Sequence, residues 1–191
     1  MNDEREGLTR PPERDAGFDL SYLWRGLPGH PIHPPFTDAT IGAYAFATLA
    51  ATADVLGISD AAATHGWWLA IFAALLFTIP TALTGFAEWL RIPTGTPLWR
   101  TATAHLITML IASAVFLATL LVGKESFDSG NVESSAYILT LVAFGILTLG
   151  GWLGGSIVYV HGMRVLNLVD EPSLRASAPV PTPEKKAAEG D

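Results

Sequence analysis

The stretch AYILTLVAFGILTLGGWLGGSIVYV, residues 136–160, contains no charged side chain over its whole length. As an α-helix it is long enough to cross the roughly 30 Å of hydrocarbon in a bilayer, at about 1.5 Å per residue. A surface helix of a soluble protein carries a polar face that recurs in every turn, and this stretch has none. It therefore predicts a transmembrane helix.

Three further apolar runs of similar length precede this stretch in the chain. The four predicted transmembrane helices cover about residues 36–56, 67–90, 98–122 and 136–160. None has Lys or Arg in its middle, and none shows the alternation of a membrane-spanning β-strand. Because the connections at 57–66, 91–97 and 123–135 are short, consecutive helices should be antiparallel neighbours. The predicted fold is an all-α integral membrane four-helix bundle with up-down topology.

The positive charges indicate the orientation of these spans. Ten of the eleven Lys and Arg residues fall in the segments that would share one side of the membrane, and only Lys124 falls on the other. The ten are Arg5, Arg10, Arg14, Arg25, Arg91, Arg100, Arg164, Arg175, Lys185 and Lys186. Since Lys and Arg are enriched in cytoplasmic loops, both termini should be cytoplasmic. The predicted location is the cell inner (plasma) membrane, with the lipid bilayer as partner.

The composition supports a membrane protein and excludes several functions. Only 15% of the 191 residues are charged, against about a quarter in soluble domains. The absence of cysteine excludes disulfides and thiolate metal sites. No basic patch is interleaved with aromatic residues, so nucleic acid is not a predicted partner. The N-terminus is too acidic for a cleaved signal peptide.

The chain divides into a membrane domain and two polar tails. Residues 1–25 form a predicted disordered or interfacial tail, residues 26–168 the transmembrane domain, and residues 169–191 a Pro-rich disordered tail. The tails supply most of the net charge of −7, so that charge says little about partners.

Ionisable residues gather at the predicted cytoplasmic end of every helix. These are His30 and His33 before the first helix, Glu88 in the second, His105 in the third and His161 at the end of the fourth. Polar side chains at membrane depth avoid lipid, so we expect these groups to face one another inside the bundle. His65 lies at the opposite end, beside two tryptophans, and is interpreted as an interfacial residue.

The segment Gly29-His30-Pro31-Ile32-His33-Pro34-Pro35 is the most distinctive part of the sequence. A residue before proline is biased away from the helical region, so this segment should present His30 and His33 on an extended hinge. Pro34 and Pro35 can then occupy the first helical turn, where a missing N–H has no cost.

In each of the other three predicted helices, the spacing of polar or small residues places them on one face. One face carries Thr81, Thr84 and Glu88; a second carries Thr101, His105, Thr108 and Ala112; a third carries Gly150, Gly154 and His161. Small residues four apart allow close helix packing in lipid. Pro80 removes one backbone hydrogen bond within its helix.

Four motifs together resemble a known bacterial membrane family. They are HPIHP at 30–34, Thr84-Gly85 with Glu88-Trp89, Trp99-Arg100 followed by His105, and GWLGGSIVY at 151–159 followed by His161-Gly162. In this order, from about residue 26 to 165, they are similar to the family called domain of unknown function 2231. Ser156 stands where that family is expected to have an acidic residue, which weakens any role needing a carboxylate there.

The resemblance implies a four-helix membrane protein whose family has no assigned function. Some members are similar to proteins fused to, or encoded near, Rieske-type iron–sulfur domains. The resemblance therefore implies redox chemistry and a redox partner protein. The 191 residues contain no cysteine, so they include no Rieske domain.

Two kinds of cofactor site and one structural role remain open. One haem b could be bound with His105 and His161 as the axial pair. Alternatively, a transition metal ion could be held by imidazole and carboxylate groups from the set His30, His33, His105, His161 and Glu88. The structural alternative is a non-catalytic membrane subunit, or homo-oligomer of such subunits, whose histidines form a structural or pH-sensitive polar network. No catalytic motif is present, so the sequence does not indicate an enzyme.

Overall fold

The computed structural model describes residues 32–59 and 61–163, and over these residues the chain forms helices and no strand. The five helices are α1 (His33–Val55), α2 (Ala61–Trp89), α3 (Pro97–Val122), α4 (Lys124–Ser129) and α5 (Ser134–Tyr159). The predicted all-helical class is therefore confirmed. The predicted tails at 1–25 and 169–191 lie outside the described residues, as does His30.

Three of the described helices are long and apolar enough to cross a membrane, namely α2, α3 and α5. They overlap the predicted spans at 67–90, 98–122 and 136–160. Helix α1 has 23 residues and is not among the three. Its sequence includes four threonines and two aspartates, which lower its hydropathy.

Prolines fix where two of the long helices begin. Pro97 is in the first turn of α3, where Thr96 caps the helix by accepting a hydrogen bond from the Trp99 N–H at 3.1 Å. Pro34 likewise sits in the first turn of α1. The predicted extended hinge is wrong at His33, because His33 is itself the first residue of α1. Its side chain bonds to α2, and this contact offsets the steric preference of a residue before proline.

Two connections contain more helix than expected. Helix α2 begins at Ala61 rather than near residue 67, because the alanines at its start favour helix although they lie outside the most apolar run. Helix α4 occupies six residues of the connection predicted at 123–135. It ends at Gly130, whose φ of 76° is the left-handed conformation that glycine adopts readily.

Each long helix runs antiparallel to the next. The start of α1 meets the end of α2 through the hydroxyls of Thr40 and Thr81, 3.0 Å apart. The end of α2 meets the start of α3 through Trp89, and the start of α3 meets the end of α5 through Thr101. The most extensive contacts are between α1 and α2 and between α3 and α5.

The core lies between these helices and is built from aromatic and small residues. Tyr44 of α1 stacks on Phe116 of α3 with ring centroids 3.8 Å apart, and the Tyr44 hydroxyl is 3.1 Å from that of Thr78. Trp67 is fully buried and donates to the Thr140 hydroxyl at 3.0 Å. Many leucines and phenylalanines face outward from α2, α3 and α5, as expected for helices that contact lipid.

Candidate functional site

We call the end of the molecule that holds His33 the histidine end. It contains the first residue of α1, the last turn of α2, the start of α3 and the end of α5. Glu88 is in the last turn of α2, His105 lies eight residues after Pro97 in α3, and His161 follows the end of α5. The predicted polar residues within the described ranges are therefore at one end, apart from His65.

His33 is held by a hydrogen bond to α2. Its Nδ1 is 3.0 Å from the Thr84 hydroxyl, whose oxygen is also 2.8 Å from the Pro80 carbonyl. A carbonyl can only accept, so the single hydroxyl proton is directed to Pro80 and the oxygen accepts from the His33 Nδ1–H. In the neutral imidazole, Nε2 then carries a lone pair. The Thr37 hydroxyl is 3.4 Å from this Nε2 and donates to the His33 carbonyl at 3.0 Å.

His105 is held in the same way by α5. Its Nδ1 is 2.8 Å from the Gly150 carbonyl oxygen. Since the carbonyl must accept, Nδ1 carries the proton and Nε2 carries the lone pair in the neutral ring. Both imidazoles thus have the same tautomer, each fixed by a neighbouring helix.

A glycine on the neighbouring helix makes room for each imidazole. A Cβ added to Gly85 of α2 would lie 2.8 Å from Cε1 of His33. A Cβ added to Gly154 of α5 would lie 3.0 Å from Cε1 of His105. Side chains larger than hydrogen at these positions would displace the rings. The same contact between a glycine and an imidazole therefore occurs in the α1–α2 pair and in the α3–α5 pair.

The two imidazoles line one cavity of about 220 Å³. Glu88 lines it as well. Most of the remaining wall is apolar, with contributions from Phe86, Trp89, Leu106, Met109, Ile157 and Met163. A small group of ionisable side chains therefore faces an apolar space between α1, α2, α3 and α5.

His161 bonds to the start of α3. Its Nε2 is 3.0 Å from the Thr101 hydroxyl, which ties the end of α5 to the start of α3. It is not among the residues that line the cavity, whereas His33 and His105 are. Thr101 and His105 are one helical turn apart, so His161 lies near the site without facing it.

Within residues 32–59 and 61–163, no group of three or more His, Asp or Glu side chains is arranged to hold a metal ion. The metal set predicted from the sequence is therefore only partly brought together. His33, His105 and Glu88 share the cavity, His161 is directed to Thr101, and His30 is outside the described residues.

The remaining predicted residues have structural contacts. His65 donates from Nε2 to the Phe127 carbonyl at 3.1 Å, which fastens α4 to α2. Trp89 donates to the Thr103 hydroxyl at 2.9 Å, which joins α2 to α3. The predicted polar face of α2 is buried against α1 at Thr81 and Thr84.

Sequence reasoning missed the packing role of Gly85, which it named only as part of a motif, and the junction around Asp54. Gly85 is next to Thr84 and one turn before Glu88, and a glycine inside a helix is the only signal for its role. Asp54 accepts from the Thr64 hydroxyl at 2.6 Å and from the Val132 N–H at 2.8 Å, at the opposite end from the histidines. An aspartate in the last turn of a helix gives no indication of so distant a partner.

The chain was compared with known protein families, curated proteins and solved structures. The family model described as predicted membrane protein, DUF2231, matches residues 29–167. The chain belongs to the DUF2231 family. This match spans all five helices and confirms the resemblance seen in the motifs. No curated protein and no solved structure matches the chain. As a member of DUF2231, it is a membrane protein with three membrane-capable helices among its described residues.

Proposed function

We propose that this DUF2231 protein is a four-span protein of the plasma membrane with both termini in the cytoplasm. Three of its helices satisfy the length and hydropathy of a span. Helix α1 is proposed as the fourth, because its threonine hydroxyls donate to carbonyls one turn earlier or bond to α2, so these hydroxyls have partners within the protein. The ten-to-one distribution of Lys and Arg supports this orientation.

We further propose that the protein binds one small ligand between His33 and His105. The observation that carries this proposal is that both rings are fixed through Nδ1–H while lining the same cavity. Fixing one ring nitrogen so that the other can act as a ligand or acceptor is the usual arrangement of functional histidines.

The volume and the side chains of the cavity distinguish among the ligands that the sequence suggested. The cavity of about 220 Å³ is smaller than the roughly 300–1,000 Å³ usual for drug-sized ligands, so it is too small for a haem macrocycle but can hold a molecule of one ring. A metal ion fits by size, but the described side chains do not supply a third protein ligand. A small organic molecule held by the two imidazoles agrees best with both facts. A redox role would then depend on a partner protein that supplies or removes electrons.

The test is a direct search for bound molecules in the purified full-length protein. We expect mass spectrometry of an organic extract to detect a small molecule that co-purifies with the wild type and is lost in His33→Ala and His105→Ala. His65→Ala is the matched control, because His65 is at the other end of α2. An optical spectrum and metal analysis of the same samples would reveal a haem or metal instead. Identical extracts from all four proteins, with no haem or metal, would refute ligand binding.

A structural network is the second candidate function, favoured by the contact of His161 with Thr101. This bond and that of His105 with Gly150 both join α3 to α5. Under this alternative, His161→Ala and His105→Ala should lower the melting temperature alike, and neither should change the composition of the extract. Loss of an extracted molecule in His105→Ala alone would exclude it.

A further inference from the structure

The cavity between His33 and His105 has an unusual hydrogen-bonding character. Its wall contains hydroxyl and indole donors, and each of these side chains has an acceptor within the protein. The hydroxyls of Thr40, Thr78, Thr81 and Ser113 each lie 2.8 Å from a carbonyl one turn earlier in their own helix. Thr37 donates to the His33 carbonyl, and Trp89 donates to Thr103. The donors of the described wall are therefore engaged before any ligand arrives.

The imidazoles, in contrast, present hydrogen-bond acceptors to the cavity. Nε2 of His33 and of His105 each carry a lone pair in the neutral ring, because Nδ1 holds the proton in both. No described residue donates to Nε2 of His105. A partly buried acceptor that lacks a strong donor among the described residues is best complemented by a ligand that itself donates hydrogen bonds. Ligands whose polar atoms only accept, such as quinones and anions, would find no partner here.

The size and the walls of the cavity indicate an aromatic ring. A cavity of about 150 Å³ accepts benzene, so about 220 Å³ suits a single ring with small substituents. Phe86 and Trp89 lie on the α2 side with ring centroids 5.6 Å apart and nearly parallel planes. Aromatic side chains in the wall of a cavity favour an aromatic ligand, through stacked or edge-to-face contacts.

The wall also reaches the outer surface of the molecule. Phe86, Leu110 and Val158 line the cavity, yet they are 46%, 54% and 39% exposed. They belong to α2, α3 and α5, the helices whose outward faces are apolar. A ligand reaching the cavity past these side chains would come from the lipid rather than from water.

From these observations we infer that the site binds the hydroquinone headgroup of a membrane quinol, with its hydroxyl groups donating to Nε2 of His33 and His105. This inference rests on the proposed ligand site and names the class of ligand. The ring fills the apolar space, and the hydroxyls meet the two acceptors. An isoprenoid tail would leave between the exposed wall residues into the bilayer.

The experiment compares ring compounds that differ only in hydrogen bonding, using the full-length wild type in lipid nanodiscs. The probe is tetramethylhydroquinone, kept reduced under argon, and its controls are tetramethylbenzoquinone and 1,4-dimethoxytetramethylbenzene. Isothermal titration should give an affinity for the hydroquinone about tenfold or more above that for either control, because two neutral hydrogen bonds are lost. The comparison uses wild type only, so it does not depend on a variant that folds.

A second measurement locates the interaction on the imidazoles. In protein labelled with ¹⁵N-histidine, hydroquinone should shift the Nε2 resonances of His33 and His105 and leave those of His65 and His161 unchanged. His105→Ala should weaken hydroquinone binding about tenfold, whereas His65→Ala should not change it.

Three outcomes would overturn the inference. They are equal affinity for hydroquinone and its dimethyl ether, tighter binding of the cationic probe benzylamine, or no Nε2 shift at saturation. If the wild type co-purifies with a different molecule that His105→Ala loses, the hydroquinone assignment fails and the ligand site stands. If neither co-purification nor any titration shows binding, both fail.

Discussion

At the scale of single residues, the site depends on two glycines as much as on the two histidines. Gly85 and Gly154 have no side chain, and this allows His33 and His105 to lie directly against the neighbouring helix. The histidines then reach Thr84 and the Gly150 carbonyl, which set their tautomers. An imidazole a few tenths of an ångström further out would lose these bonds, since hydrogen bonds weaken steeply with poor geometry.

A substitution at Gly85 tests this close contact. Alanine normally stabilises a helix interior relative to glycine by about 0.5–1 kcal/mol, and this is expected for Gly66→Ala, whose new Cβ would lie 3.8 Å from Phe46. In Gly85→Ala the Cβ would overlap His33, and overpacking costs about 1–3 kcal/mol. Gly85→Ala should therefore melt at a lower temperature than Gly66→Ala. Equal melting temperatures in the same detergent would contradict the contact.

At the scale of elements, the end opposite the histidines is joined by one carboxylate. Asp54 in the last turn of α1 accepts from Thr64 in α2 and from the Val132 N–H just before α5. The Thr64 hydroxyl oxygen also lies 3.0 Å from the Gly130 carbonyl oxygen, at the end of α4. Asp54 therefore connects α1 and α2 with the chain between α4 and α5.

Replacing Asp54 by asparagine should weaken this junction. The amide oxygen can still accept from the Val132 N–H and the NH₂ group can donate to the Thr64 hydroxyl, but two charge-assisted bonds become weaker neutral ones. We expect a loss of about 1–3 kcal/mol in the free energy of unfolding. Asp38→Asn is the matched control in the same helix, since Asp38 is exposed. The two variants would be equally stable if Asp54 were only a surface charge.

At the scale of the whole molecule, the proposed topology places the two described connections that flank α2 on opposite sides of the membrane. Because the chain has no cysteine, one cysteine substitution in each connection creates a single labelling site. Ser59 lies between α1 and α2, and Thr94 lies between α2 and α3; both are exposed. The histidine end and Thr94 should share the cytoplasmic side.

Labelling with a membrane-impermeant maleimide should therefore modify Ser59→Cys in intact cells and Thr94→Cys only after permeabilisation. The physical reason is that connections rich in Lys and Arg stay on the cytoplasmic side of the membrane. The reverse pattern would mean that the termini are outside. Modification of both residues in intact cells would mean that α2 does not span the membrane.

The sequence by itself determined the class of the protein. Long uncharged runs can satisfy their backbone groups in lipid only as helices, so residues 136–160 predict their own structure without reference to the rest of the chain. The clustering of ionisable residues at helix ends was also predictable. In a set of antiparallel helices, the position of a residue along its helix fixes its depth in the membrane. The short polar helix α4 was not predictable, since its six residues carry no apolar periodicity and are stabilised by contacts with α2 such as that of His65.

Only the tertiary structure decided which histidines share a space. His33 and His161 lie at the edges of apolar runs and His105 lies within one, so their positions in the sequence do not show which of them share a space. Rotation of each helix about its axis, set by glycines and packed side chains, directs His33 and His105 into the cavity and His161 to Thr101. The hydrogen-bonding state of each ring follows from a partner 45 or more residues away in the chain. Spacing along one helix contains no information about such a partner, because it belongs to another helix.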